Sequence, residues 1–291
     1  MALLMLAASV YGVAQLLVLS SPSRSVRIGT VLLAIAVGVY GCGIATALLE
    51  YAYTRAIADQ PSGGVLIEAV QTAGYTVDPV VEELVKVTPL LLAAWNIKVR
   101  RQWGLTDYVV TGAALGAGFG LLEAVARYGL SSNRAIGHPD GGWIIPKSLI
   151  GTPYIPGPDQ LLFAWFPAPA GSLGAGGLHP AAQTSPHLVY TAVAALGVGV
   201  LIRARGWPRI AGLLPVTAAC AHHILANYSV RHPADRDVKS LVELNGLLWA
   251  IPLICLAIAV IADVRQIRQA KRTVPGVLTQ AERAGRTGLE H

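Results

Sequence analysis

The stretch "DPVVEELVKVTPLLLAAW" (Asp78 to Trp95) puts two adjacent glutamates and a lysine inside an otherwise apolar run. On a helix, Glu82 and Lys86 are four residues apart and Glu83 and Lys86 three apart, so the lysine can partner either carboxylate. One pairing neutralises one glutamate and leaves the other unexplained. Two carboxylates forced together cannot both ionise freely, which makes one of them a general base or acid usable near neutral pH. The bland alternative is a structural ion pair at a helix end. Three further runs hold polar groups of the same kind. "GAALGAGFGLLEAVARY" places Phe119 and Glu123 on one helical face, beside Gly112, Gly116 and Gly120, a small-residue seam that allows close helix packing. "SPHLVYTAVAALGVGV" opens with His187, and "AACAHHILANY" sets His223 and Asn227 one turn apart, with His222 turned away by about 100°. Packing explains the glycines but not Glu123.

The elements that must position these residues follow from composition. At 54% hydrophobic and 13% charged, with mean hydropathy +0.54, the chain is too apolar for a soluble domain, where about 25% charge is usual. A hydrocarbon core about 30 Å thick takes about 20 helical residues to cross. The apolar runs predict an all-α, polytopic integral membrane protein of about seven transmembrane helices, near 3–20, 28–50, 80–98, 106–129, 187–204, 209–228 and 241–263. A charge near a bilayer centre costs roughly 2.5–3.5 kcal/mol on insertion scales, so polar residues within such helices need partners or a function. The N-terminal run Leu3–Leu19 lacks a basic leading region and a clear cleavage site, and reads as a retained helix.

Arginine and lysine sort between the connections. Arg24, Arg27, Lys98, Arg100, Arg101, Arg203, Arg205, Arg209 and the tail's Arg265, Arg268, Lys271, Arg272, Arg283 and Arg286 fall on one side. Arg55, Arg127, Arg134, Lys147, Arg231, Arg236 and Lys239 fall on the other, fourteen against seven. The positive-inside rule then puts the N-terminus outside and the tail in the cytoplasm. The net charge of +6 needs no nucleic acid to explain it, and no nucleic-acid-binding pattern is present. The expected organisation is one membrane domain over 1–263, with a core region 78–228, an external loop 130–186 and a basic cytoplasmic tail 264–291 near anionic lipid. The loop holds two apolar pieces too short to span, "GGWIIPKSLIG" and "DQLLFAWFPAPAG". Trp143, Trp165 and Phe166 read as interfacial anchors, or as parts of a substrate-gating lid. "GGVLIEAVQTAGY" (63–75) reads as a short amphipathic helix. Cys42, Cys220 and Cys255 lie in apolar runs without CxxC spacing and read as small buried residues.

In that topology the third and fifth spans run inward from Glu82, Glu83 and His187. The fourth and sixth run outward toward Glu123, His223 and Asn227. All six reach a similar depth in the outer half of the bilayer, and one site accounts for the convergence better than independent structural roles.

The ordered set EExxK (Glu82, Glu83, Lys86), FxxxE (Phe119, Glu123), a histidine opening the next span (His187) and HxxxN (His223, Asn227) resembles the PrsW family of bacterial intramembrane proteases. That family is itself distantly similar to the CAAX prenyl proteases. The resemblance covers about residues 78–228, with Ala124 departing from the polar residue expected after the glutamate. It implies hydrolysis of a peptide bond in a membrane-anchored, single-span protein such as an anti-sigma factor, by a multi-pass protein of the cell membrane. Two schemes are open. In the glutamic scheme Glu82 or Glu83 is the base, a histidine orients the water, and His223 with Asn227 donates to the oxyanion. In the metal scheme Glu83, Glu123, His187 and His223 are ligands of the kind that hold catalytic Zn²⁺, although no HExxH is present. The rival class is a proton- or cation-coupled transporter, which would build relays from the same residue types. Repeats and broken helices around a midplane site are expected of such a carrier, and neither is evident in the sequence.

Overall fold

In lipid no water is at hand for an unpaired backbone N–H, so the apolar runs satisfy their peptide groups internally as helices. The computed structural model describes residues 1–58, 66–146, 152–173, 182–232 and 234–273. Its helices are α1 (Ala2–Leu19), α2 (Ile28–Ala58), α3 (Leu66–Thr76), α4 (Asp78–Trp95), α5 (Ile97–Gln102) and α6 (Leu105–Tyr128). These are followed by α7 (Pro158–Leu162), α8 (Pro186–Arg203), α9 (Leu213–Arg231), α10 (Arg236–Glu243) and α11 (Ala250–Thr273). The protein is an all-α polytopic membrane protein. Among the described residues, six helices are long and apolar enough to cross a membrane: α1, α2, α6, α8, α9 and α11, some with a flanking turn. Helix α4 has 18 residues, but Asp78, Glu82, Glu83 and Lys86 make it more polar than those six.

Helix α6 is the centre of the bundle, buried without interruption from Leu105 to Leu121. Its small residues allow this on two faces at once. A methyl group at Gly116 would overlap the His187 carbonyl on α8, and one at Gly118 would overlap the Ile35 carbonyl on α2. Backbone therefore meets backbone on both sides of α6.

Two local irregularities answer each other between α2 and α4. Pro89 has no N–H for the carbonyl of Val85, four residues earlier. Helix α2 widens into a π-helical stretch at Val37–Gly43, and the Cys42 thiol of that stretch donates to the Val85 oxygen at 3.7 Å. Cys42 is thus more than a small filler.

At the end of the bundle where α6 starts, two buried acids hold the chain. Asp107 accepts from the backbone N–H groups of Ser25, Val26 and Gly104 at 2.7, 2.8 and 2.9 Å and from the Ser25 hydroxyl at 2.6 Å. Asp263 of α11 accepts from the N–H groups of Leu105 and Thr106, at 3.0 and 2.8 Å. Carboxylates are favoured there because the first N–H groups of a helix lack intrahelical partners and carry partial positive charge. These contacts gather Arg24, Arg203 and Arg265 at one end, as the sorting of basic residues anticipates.

Two expectations need correction. The last span begins at Ala250 and not near 241, because "LNG" (Leu244–Gly246) turns the chain with positive φ at all three residues, leaving 236–243 as the separate α10. The helix then runs on to Thr273, so the first ten residues of the expected tail are helical, and 274–291 lie outside the described residues. The loop 130–186 is not only irregular. It carries four short antiparallel strands in sequence order, β1 (Ile136–Gly137), β2 (Trp143–Ile144), β3 (Thr152–Ile155) and β4 (Gly171–Leu173). The β1–β2 turn is made by Gly141 and Gly142 at φ +95° and +69°. Phe166 is no interfacial anchor: it is fully buried against α1. Trp165 stays partly exposed and stacks on Trp249, at 6.5 Å between ring centres. The helix read near 63–75 is α3 over its described part, packed on α4 and α9.

Removing the Asp107 carboxylate leaves three backbone donors without an acceptor in a dry site. Asp107→Ala is expected to lower stability by about 2 kcal/mol or more. Thermal unfolding in detergent, compared with an Asp107→Asn protein that keeps one acceptor oxygen, measures it; equal melting of wild type and Asp107→Ala would refute the capping role.

Candidate active site

Helices α4, α6, α8 and α9 each bring side chains to one buried cluster. From α4 come Glu82, Glu83 and Lys86, successive positions on the face that also buries Pro79, Val87 and Leu90. The Lys86 ammonium lies 2.6 Å from Glu83, 3.3 Å from Glu82 and 3.1 Å from Nδ1 of His187, and 4.2 Å above the Phe119 ring. The lysine therefore partners both carboxylates rather than one. Its fourth contact, the ring face, is an electrostatically favourable neighbour for a cation.

His187 is the second residue of α8, next to Gly116 and Gly120, where α6 has no side chain to keep it away. An ammonium has only protons to give, so Nδ1 of His187 is the acceptor and Nε2 carries the ring proton. That Nε2 faces the Glu123 carboxylate in a close contact, and Glu123 is also paired with Arg127 one turn further along α6. His223, 3% exposed, donates through Nδ1 to Glu83 at 3.0 Å, and its Nε2 stands 3.8 Å from Glu82. The His187 and His223 rings lie 5.2 Å apart, edge to face.

The two glutamates differ in what they already hold. Glu83 is fully buried and accepts from Lys86 and His223, with the Thr191 hydroxyl at 3.5 Å. Glu82 is 7% exposed and, among the described residues, accepts only from Lys86, both histidines standing 3.8 Å away. Glu83 thus carries two short bonds on its Oε1, and Glu82 a single longer one.

Of the residues singled out from sequence, Glu82, Glu83, Lys86, Phe119, Glu123, His187 and His223 meet here. Asn227 does not: its amide donates to the Gly74 carbonyl at 3.2 Å, on α3. One helical turn separates it from His223, but α3, whose packing on α9 the sequence does not reveal, takes up its hydrogen bond. His222 lies beside the Tyr190 ring, 5.4 Å between centres, and outside the cluster. Three neighbours were missed. Arg127 stands four residues after Glu123 and Thr191 four after His187, spacings that could have revealed both. Tyr190, stacked on His223 at 4.6 Å, carries no signal in sequence that separates it from core aromatics.

The donor set suits a metal ion in type and span. One ligand atom from each of Glu82, Glu83, His187 and His223 lies within 4.8 Å of the others. Glu123, expected as a ligand, sits instead behind His187, in the place from which a carboxylate orients a metal-binding imidazole.

The sequence pattern of a family described as PrsW family intramembrane metalloprotease matches residues 24–144. The match includes Glu82, Glu83, Lys86, Phe119 and Glu123 and stops before His187 and His223. No curated protein and no solved structure matches the chain. The resemblance read from the motifs is thereby borne out over residues 24–144, where the chain is similar to that family.

Proposed function

We propose that this protein hydrolyses a peptide bond of a single-span protein of the cell membrane, with Glu82 as the base that activates water. The observation that carries the assignment is the asymmetry of the two glutamates. Glu83 is fully buried and takes two short bonds, from Lys86 and His223, whereas Glu82 takes a single longer one from Lys86 and keeps a little exposure. Water reaches Glu82 from the side of Glu123 and Arg127, whose side chains are 27% and 49% exposed, the most open edge of the cluster. Glu82 takes a proton from that water as its oxygen attacks the carbonyl carbon, and returns a proton to the amine as the C–N bond breaks. Lys86 faces the growing negative charge on the carbonyl oxygen, while the histidine N–H groups stay on Glu83 and Glu123. Such a preorganised donor is typically worth about 2.7–4 kcal/mol in the transition state. Glu83 fixes Lys86 and His223, and Glu123 fixes the His187 ring. Asn227 has no part in this scheme.

Zinc is the candidate ion, held by Glu82, Glu83, His187 and His223. When bound it would acidify water and polarise the carbonyl. Ion and lysine would then share the same carboxylates.

The orientation follows the positive-inside rule. The basic end, with Arg24, Arg203 and the start of α6, faces the cytoplasm, and α4 crosses as the seventh span. Glu82 and Glu83 lie in the first turns of α4, His187 opens α8 and Glu123 lies in the last turns of α6. The site is therefore in the extracytoplasmic half of the membrane.

Three outcomes follow. Purified protein in proteoliposomes, given single-span peptides with a fluorophore and quencher flanking the extracytoplasmic end of the span, should cleave there; mass spectrometry locates the cut. A cut at the cytoplasmic end would reverse the orientation. Glu82→Gln should remove cleavage with melting close to wild type. Glu83→Gln should also lose cleavage but melt earlier, by about 3 kcal/mol or more, because it removes the nearer carboxylate from buried Lys86. Comparable activity in Glu82→Gln and wild type would end the assignment of the base. In zinc titrations of purified protein, Glu82→Ala, Glu83→Ala, His187→Ala and His223→Ala should abolish binding. Glu123→Ala, which acts through His187, should weaken it only about 10–100-fold. Equal loss in all five variants would instead make Glu123 a ligand.

A further inference from the structure

Helix α1 lies outside the stretch matched to the protease family. Besides Ser9 it carries two polar side chains, Tyr11 and Gln15, four residues apart and so on one face. Both engage the segment that leads from α7 toward α8. The Tyr11 hydroxyl donates to the Leu162 carbonyl at 3.1 Å. The Gln15 amide uses both of its functions, donating to the Ala164 carbonyl at 2.9 Å and accepting from the Phe166 N–H at 2.8 Å. Gln15 stands beyond the midpoint of α1, so the loop runs down α1 to that level, with Leu162, Phe163 and Trp165 exposed and Phe166 turned inward.

Phe166 is the knot of this arrangement. Its φ of +51° is left-handed, a conformation that an aromatic residue keeps only where its surroundings hold it. It is fully buried, and a Cβ built at Gly12 would come within 3.2 Å of its Cα and 3.4 Å of Leu188 on α8. Its carbonyl accepts from the N–H of Ser185 at 2.7 Å, and the N–H of Ala168 donates to Gln183 at 2.6 Å. Ser185 caps α8, and His187 follows two residues later.

From this continuous path we infer that Gln15 is a positioning residue for His187. It fixes the Phe166 peptide; that peptide fixes where α8 begins; and the start of α8 sets the His187 ring between Lys86 and Glu123. The catalytic part of the inference rests on the reading of His187 given under Proposed function. A displaced ring would lose Glu123 or Lys86 while the peptide substrate could still bind, so the effect falls on kcat and not on KM.

The experiment uses full-length protein with ¹⁵N-labelled histidine in proteoliposomes, and the single-span peptides described above as substrate. Ring resonances of His187 and His223 are assigned by their loss in His187→Gln and His223→Gln proteins. Gln15→Met, nearly isosteric, should shift the His187 ring signals, leave those of His223 in place and lower kcat at least tenfold with KM within twofold. Gln15→Glu keeps an acceptor for the Phe166 N–H and should hold the His187 signals near wild type. Tyr11→Phe releases the same loop at a point off the path and should change neither signals nor kcat. Unmoved His187 signals in Gln15→Met, equal shifts in Gln15→Met and Tyr11→Phe, or equal shifts in Gln15→Met and Gln15→Glu would each overturn the proposal. Shifted His187 signals with unchanged kcat would overturn it too, leaving Gln15 a purely structural tie. Full activity in Glu82→Gln, by contrast, would strike the catalytic reading alone, because the His187 signals report on the path from Gln15 whether or not cleavage depends on Glu82.

Discussion

The structure depends on one buried cation. In a low-dielectric interior neither carboxylate of Glu82 and Glu83 could stay ionised without compensation, and Lys86 could not stay charged without them. The ammonium sits against both, against the acceptor nitrogen of His187 and over the Phe119 ring. Everything else in the cluster follows from that placement. Because Nδ1 of His187 is an acceptor, its Nε2 proton must find an anion, and Glu123 is the anion present. Because Glu83 is held by Lys86, it orients His223, while Glu82 keeps unused acceptor capacity. A lysine in contact with four groups from three helices gives each of them its role.

Such a cluster needs helices closer together than large side chains permit. Helix α6 supplies the closeness by having glycine where α8 and α2 cross it, and α8 in turn brings its first turn, with His187, into the gap. The π-helical stretch of α2 and Pro89 of α4 are two departures from regular helix that meet through the Cys42 thiol and the Val85 carbonyl. At the opposite end, Asp107 and Asp263 tie the start of α6 to the chain after α1 and to α11. The half that holds the Lys86 cluster is thus built by close approach and charge pairing. The other half is built by carboxylates on backbone N–H groups, a firm base against which the site helices are registered.

The loop between α6 and α8 joins the two ends of this argument. A segment rich in glycine and proline folds into four short strands and then dips against α1, where Gln15 satisfies the peptide groups that lipid could not. The same dip sets the first turn of α8, and with it the histidine that meets Lys86.

Much of this was legible in the sequence for a physical reason. A charge in an apolar run is costly, so Glu82, Glu83, Lys86, Glu123, His187 and His223 announce themselves by being where they are. Their spacing gives the face, and the order of the motifs gives the resemblance to the protease family. Helical spans are equally legible, since lipid leaves the backbone few alternatives, and the glycine seam of α6 could be read as a packing surface. Only tertiary structure decided which partner each group takes. It gave Lys86 to both glutamates, set Glu123 behind His187, and turned Asn227 to Gly74 and away from the cluster. It also buried Phe166 on Gly12, moved the last helix to begin at Ala250, and gave Gln15 and Cys42 work that their residue types do not advertise. Those outcomes depend on contacts between residues as much as 153 positions apart and more in the chain, which no local pattern encodes.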